Sequence, residues 1–297
     1  MHPNLNVVKD LKSIMMLEIK GNENLRQIDN VRVLESFQYL TSIDLSNNRL
    51  ENIPEIIQCL NPSIRYLDVS GSNAGKVNVT TFQKFTHLRE LLLANTSFPV
   101  NDSELFDSLQ SLIFIDVSYN DLEHFDFKRA LLNLKRLEAV RAANCTLAKI
   151  PEFGSTLKAL HISDNFLREL KTNSFKSVTN LRALNVSNTH LSSVDFDVFE
   201  HNPKLEVLDL SYNSLQRVNL TLAMSNLRWF RLNGNNITNI EGFIKSRLPR
   251  LYELDISNNQ LSCEYLTAFV AQLKREWPKL ELIGDPWKQK HDQNCNR

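Results

Sequence analysis

Apolar residues in this chain fall into one short frame that keeps returning. In Leu205-Glu-Val-Leu208-Asp-Leu210-Ser-Tyr-Asn213-Ser-Leu215 they take positions 1, 4, 6 and 11, and an asparagine takes position 9. Leu208 and Leu210 flank a single residue, so on a strand both point to one side and Asp209 to the other. The frame opens at Leu40, Ile64, Leu88, Leu112, Leu137, Leu157, Leu181, Leu205, Leu227 and Leu251, in steps of 24, 24, 24, 25, 20, 24, 24, 22 and 24 residues. A blurred copy begins at Ile14 and a fragment at Leu280. A β pattern this short cannot close a core alone, so each copy is predicted to stack against its neighbours.

Asn48, Asn120, Asn165, Asn213, Asn235 and Asn259 share position 9, and a buried amide there can satisfy backbone groups of the turn. Ser72, Thr96, Cys145 and Thr189 stand at that place in other copies. Between strands, Phe82, Phe85, Phe106, Phe175, Phe199 and Phe243 predict an aromatic spine along the returning segments. Phe125 to Arg136 predicts a short helix, and the 20-residue step from Leu137 predicts a change of curvature near 137–160. After Leu261 the apolar spacing becomes helical, through Cys263, Leu266, Phe269, Val270, Leu273 and Trp277. Ser262 serves as N-cap, Pro278 stops the helix, and Leu280 to Ile283 can add an edge strand.

Period and frame resemble those of leucine-rich repeats over roughly residues 14–262. The resemblance implies an α/β leucine-rich-repeat solenoid, or horseshoe, with a parallel concave β-sheet and a C-terminal helical cap. Three segments follow: 1–39 as entry and first irregular repeat, 40–262 as ten repeats, and 263–297 as cap. The 24-residue frame and the segment Cys263-Glu-Tyr-Leu266 to Cys295 are similar to those of insect leucine-rich immune proteins and Toll-type receptor ectodomains. Those families imply innate-immune recognition or scaffolding. This chain departs from them in having no N-terminal cysteine pair, no coiled coil and no membrane-spanning segment, which leaves Cys59 as the one spare thiol for a disulfide-linked assembly.

Charge narrows the classes. Lysine and arginine number 34 against 34 acidic residues, so no global field favours nucleic acid or an anionic membrane. No apolar run approaches the roughly 20 residues of a membrane helix. The start, Met1-His-Pro-Asn-Leu-Asn, carries no signal-peptide pattern, which fits an intracellular protein or a mature or truncated chain. Cysteines and sequons point outward from the cell. Cys145 and Cys59 read as free thiols, whereas Cys263 and Cys295 bracket the cap and predict a disulfide. Asn78, Asn95, Asn101, Asn144, Asn185, Asn219 and Asn236 each open an Asn-x-Ser/Thr sequon. Extracellular secretion is therefore the expected location, with the cytoplasm as alternative.

No spacing suited to catalysis, a metal or a cofactor occurs: there is no H-E-x-x-H, no C-x-x-C and no glycine-rich phosphate loop. Repeats offer columns of outward side chains instead. One column reads Asp44, Asp68, Leu92, Asp116, Arg141, His161, Asn185, Asp209, Arg231, Asp255. The column before it reads Ser42, Tyr66, Glu90, Phe114, Ala139, Ala159, Ala183, Val207, Trp229, Glu253. Aspartates there are the ordinary solvated choice, so the departures carry the information. Tyr66, Leu92, Phe114, Arg141, His161, Trp229 and Arg231 are the candidate partner-binding residues, since aromatics and arginines dominate binding hot spots. A glycan on Asn185 would block the middle of that face. The function expected is non-catalytic protein–protein recognition, with neither nucleic acid nor membrane insertion and with homo- or hetero-oligomers left open. A cytosolic adaptor or regulatory subunit, and a matrix or adhesion protein, are the alternatives.

Overall fold

Each opening of the frame produces a three-residue strand whose middle side chain is interior. The computed structural model describes residues 5–75, 77–99, 102, 104–285 and 287. The chain divides into two compact units, Met1–Thr146 and Leu147–Arg297. In the first, β1 (Met16–Glu18), β2 (Ser42–Asp44), β3 (Tyr66–Asp68), β4 (Glu90–Leu92), β5 (Phe114–Asp116) and β6 (Ala139–Arg141) pair in parallel, in that order. In the second, β7 (Ala159–His161), β8 (Ala183–Asn185), β9 (Val207–Asp209), β11 (Trp229–Arg231), β13 (Glu253–Asp255) and β14 (Glu281–Leu282) do the same. Ile43, Leu67, Leu91 and Ile115, and likewise Leu208, Phe230 and Leu254, are wholly buried at strand centres. The register comes from one carbonyl that serves two amides of the next copy. Thr41 O accepts from Arg65 N at 2.7 Å and Tyr66 N at 3.1 Å, and Arg182 O accepts from Glu206 N and Val207 N at 2.8 and 2.9 Å.

The position-9 asparagines tie neighbouring copies together as expected. Asn120 Nδ2 donates to Val117 O in its own turn at 2.9 Å and to Leu93 O of the preceding copy at 2.8 Å. Its Oδ1 accepts from Thr96 N and Ser97 N at 3.0 and 2.8 Å. Asn48, Asn213, Asn235 and Asn259 repeat this arrangement, and Asn165 Oδ1 accepts from Leu147 N. Thr96, Cys145 and Thr189 replace the amide with a single group that turns back to a carbonyl of the same or the preceding turn. The residue after each of them, Ser97, Thr146 and His190, swings to positive φ of 51°, 58° and 62°.

The returning segments are irregular with short helices: α1 (Ile53–Cys59), α2 (Val79–Phe82) and α3 (Phe127–Leu131), the last inside the segment predicted helical. Phenylalanines fill the space behind the sheet. In the first unit Phe98, Phe106, Phe125 and Phe127 stand 4.9–6.4 Å apart in tilted and edge-on pairs. In the second, Phe175 stacks on Phe199 at 5.6 Å, and Phe243 stacks on Phe230 at 6.3 Å. The sequence frame misses one element. Arg217–Asn219 (β10) and Asn239–Glu241 (β12) pair in parallel behind the main strands, burying Val218 and Ile240.

At the C-terminal side, α4 (Cys263–Glu276) starts at Ser262, whose side chain accepts from Tyr265 N at 3.2 Å. It buries Leu266, Phe269, Val270 and Leu273 against the last repeat. Trp277 Nε1 donates to Leu248 O at 2.8 Å, so the indole is buried with its polar edge satisfied. Tyr265 reaches across to β12: its hydroxyl donates to Ile240 O at 2.6 Å and accepts from Ile240 N at 3.0 Å. Cys263 is disulfide-bonded; Cys295, its expected partner, lies outside the described residues. Cys59 and Cys145 are buried outside any disulfide, so the one spare thiol is not displayed to a second chain.

Candidate recognition surface

On the open face of each unit, the first and third residues of the strands form the two columns read from the sequence. Strand pairing puts Tyr66, Glu90, Phe114 and Ala139 in one register and Asp68, Leu92, Asp116 and Arg141 in the other. In the second unit the columns run Ala159, Ala183, Val207, Trp229, Glu253 and His161, Asn185, Asp209, Arg231, Asp255.

The aspartates of this face are not solvated. Asp68, Asp116 and Asp209 are only 5–7% exposed. Each accepts from the amide two residues on: Ser70 N, Ser118 N and Ser211 N at 2.9, 2.9 and 3.0 Å. Asp44, Asp255 and Asn185 make the same bond to Ser46, Ser257 and Ser187. The Asp-x-Ser triplet closes the turn after the strand, so these carboxylates are structural. Burial, above all, pushes the Asp68 carboxyl up. The neighbouring Tyr66 phenol is pushed up to about 12, by burial first and then by the charges of Asp68 and Asp44.

Tyr66, Leu92, Phe114, Val207 and Trp229 are half-buried rather than fully exposed, because each lies along the strands beside it. Two clusters form among the candidates. In the first unit, Arg141 lies over the Phe114 ring at 5.7 Å, and its Nη1 stands 3.3 Å from Asp116 Oδ2. In the second, Arg231 Nη1 stands 3.4 Å from Asp209 Oδ2 in the strand beside Trp229. Buried Asp116 thus positions the Arg141 guanidinium over the Phe114 ring, and buried Asp209 orients that of Arg231. Tyr66 lies two strands from Phe114, roughly 10 Å at ordinary strand spacing, and His161 lies three strands from Trp229, roughly 14 Å. His161 Nε2 is 2.9 Å from Ser163 Oγ, which donates to Asp164 Oδ2 at 2.7 Å. The hydroxyl stands between imidazole and carboxylate, and a nucleophilic triad needs the imidazole in the middle.

A third column escaped the sequence reading. The second residue of the frame also faces outward and is basic at Arg65, Arg89, Lys158, Arg182 and Arg228, all exposed. Arg182 is held by Glu206 at 2.5 Å, and Arg228 lies over the Trp229 ring at 6.0 Å. Its signal was available in the spacing, one residue after each opening leucine. Among the sequons, Asn78, Asn95, Asn144 and Asn219 are exposed, Asn236 and Asn185 are half-buried, and Asn101 lies outside the described residues. Among the described residues no cluster of histidine, cysteine and carboxylate groups could hold a metal, and no helix is long and apolar enough to cross a membrane.

Comparison with known proteins agrees with this geometry. Residues 155–215 match the family described as Leucine rich repeat, residues 225–267 that described as Leucine Rich repeats (2 copies), and residues 39–60 a single Leucine Rich Repeat. Toll-like receptor 3 of Homo sapiens is 28% identical over 200 residues, covering 61% of this chain and 22% of that protein. The solved Toll–Spatzle complex of Drosophila superposes with a TM-score of 0.65 at 19% identity, over 97% of this chain and 44% of its counterpart. A TLR13–ssRNA13 complex gives 0.63 at 19% identity, over 86% and 41%. The chain therefore spans less than half the length of each of these proteins. Frame, ladder and matches converge: the chain carries leucine-rich repeats that resemble those of Toll-type ectodomains.

Proposed function

We propose that this chain is a non-catalytic protein-recognition module that works outside the cell, in innate-immune recognition or scaffolding. One observation carries the reading. Each unit sets an aromatic ring at a first strand position and an arginine at a third, the arginine held by an aspartate of the preceding strand that the fold has already buried. Fixing a guanidinium beside a ring before a partner arrives reduces the ordering that binding requires. Rings and arginines are also the side chains whose truncation most often costs an interface its affinity.

The solved relatives hold a protein in one case and RNA in the other, so the fold does not choose between them. Charge favours protein. The chain is neutral overall, and Arg141 and Arg231 are already engaged by carboxylates, which suits a mixed protein surface better than a phosphate backbone. The disulfide at Cys263 and the exposed sequons support an oxidising, secretory route.

The test is comparative capture from extracellular fluid. Wild type, Phe114→Ala plus Arg141→Ala, and Lys176→Ala on an exposed return segment are each immobilised. A protein retained by wild type and Lys176→Ala, but weakened by the double variant at nearly unchanged Tm, supports the reading. Capture unaffected by the double variant places recognition elsewhere.

A further inference from the structure

We infer that the second unit carries a separate binding cleft for an acidic peptide segment, lined by Arg228, Trp229, Arg250 and Tyr252. It is an open depression of about 510 Å³ at one border of the open face. The inference rests on the reading of that face as a protein-recognition surface, and it names the chemistry of one partner element.

The argument starts from the two guanidiniums. Arg141, Arg182 and Arg231 are all occupied by carboxylates. Arg228 and Arg250 have no ion pair among the described residues, yet both line the same cleft. Neither is loose. The Arg228 guanidinium rests over the Trp229 ring at 6.0 Å, and Arg250 Nη1 donates to Asn226 Oδ1 at 2.6 Å. Two oriented guanidiniums without counter-charge match carboxylates, whose two oxygens fit the guanidinium fork.

The walls say what accompanies the charge. Trp229 forms one, and Tyr252 another, its hydroxyl donating to Glu281 Oε1 at 2.5 Å so that the ring is fixed. A cleft of this volume with two aromatic walls is too wide for a bare oxyanion and has room for a side chain stacked between acidic neighbours. Glu253 and Glu281 stand in register on adjacent strands beside these walls, so a ligand must place its carboxylates toward Arg228 and Arg250 rather than along the β13–β14 side. That asymmetry gives the bound segment a direction.

The probe is a fluorescein-labelled pentapeptide of four glutamates around one tyrosine, titrated by anisotropy against the full chain. Its glutamine analogue, inorganic phosphate and inorganic sulfate serve as competitors. The expectation is saturable binding that weakens as salt rises and falls roughly tenfold or more in Arg228→Ala plus Arg250→Ala. Arg228→Lys plus Arg250→Lys should fall between the two, because the charge stays and the fork is lost. Both arginine side chains lie at the surface, so the variants should keep the wild-type Tm. Equal affinity of wild type and the double alanine variant overturns the inference, as does equal binding of the glutamine analogue. Displacement by phosphate or sulfate at concentrations matching the peptide also overturns it, since the cleft would then be a simple oxyanion site. Failure here is distinguishable from failure of the recognition reading, which is scored on Phe114 and Arg141.

Discussion

Replacing Asn213 with alanine isolates what the asparagine ladder contributes. Its Nδ2 donates to Val186 O and Leu210 O at 3.0 and 3.1 Å, and its Oδ1 accepts from Thr189 N and Leu191 N, both at 3.0 Å. The two carbonyls have second donors: Thr189 Oγ1 also reaches Val186 O, and Asn235 Nδ2 reaches Leu210 O. The cost therefore falls on two buried N–H groups that lose their acceptor. At ~1–3 kcal/mol for each unsatisfied buried group, the loss comes to about 2–6 kcal/mol. Urea denaturation followed by tryptophan fluorescence measures it, with Ser214→Ala, an exposed neighbour, as control. The control should stay within about 0.5 kcal/mol of wild type. A loss under about 1 kcal/mol for Asn213→Ala would refute the claim that the amide holds successive copies together, because water or a shifted turn would then be serving those amides.

Two further outcomes follow from buried groups. The Cys145 thiol is pushed up to about 11, chiefly by burial; stability from it is whole below the ordinary thiol value of 9.0 and drains away as pH rises through 11. The stability gap between wild type and Cys145→Ala should therefore shift against wild type by up to about 1.4 kcal/mol per pH unit between those limits, and urea midpoints at successive pH values that move in parallel would contradict it. Expressed through a secretory host, the chain should carry glycans at the exposed Asn78, Asn95, Asn144 and Asn219 but not at Asn185, whose side chain is half-buried and turned to Ser187 N. Peptide mass spectrometry after enzymatic deglycosylation reads each site as asparagine or aspartate, and occupancy of Asn185 would show that the open face accommodates a sugar.

Strand positions were legible because the frame has only one way to bury Leu208 and Leu210 together. The C-terminal helix was legible for a similar reason: Leu266, Phe269, Val270 and Leu273 share one helical face with a serine before it and a proline after it. The aspartates were misread as solvated because outward-facing and exposed are different properties. Asp116 points out of the core, yet it folds down onto Ser118 N and disappears from solvent. Arg228 and Arg250 were missed for a different reason. They line one cleft only after two copies are laid side by side, so the outward column that holds Arg228 does not by itself join it to Arg250. The pair β10 and β12 hid in returning segments, where Val218 and Ile240 are single buried residues with no periodic company.

Tyr265 has a consequence for how such an array can grow. By occupying both the donor and the acceptor of Ile240, one phenol seals the rear ribbon against any further strand. A copy duplicated between the final repeat and α4 would carry that plug away from Ile240 and leave the ribbon's border raw. Lengthening of the chain is thus tolerated upstream of the ribbon and penalised downstream of it, so the helix acts as a terminus in the sense that a chain-stopper does in polymer chemistry.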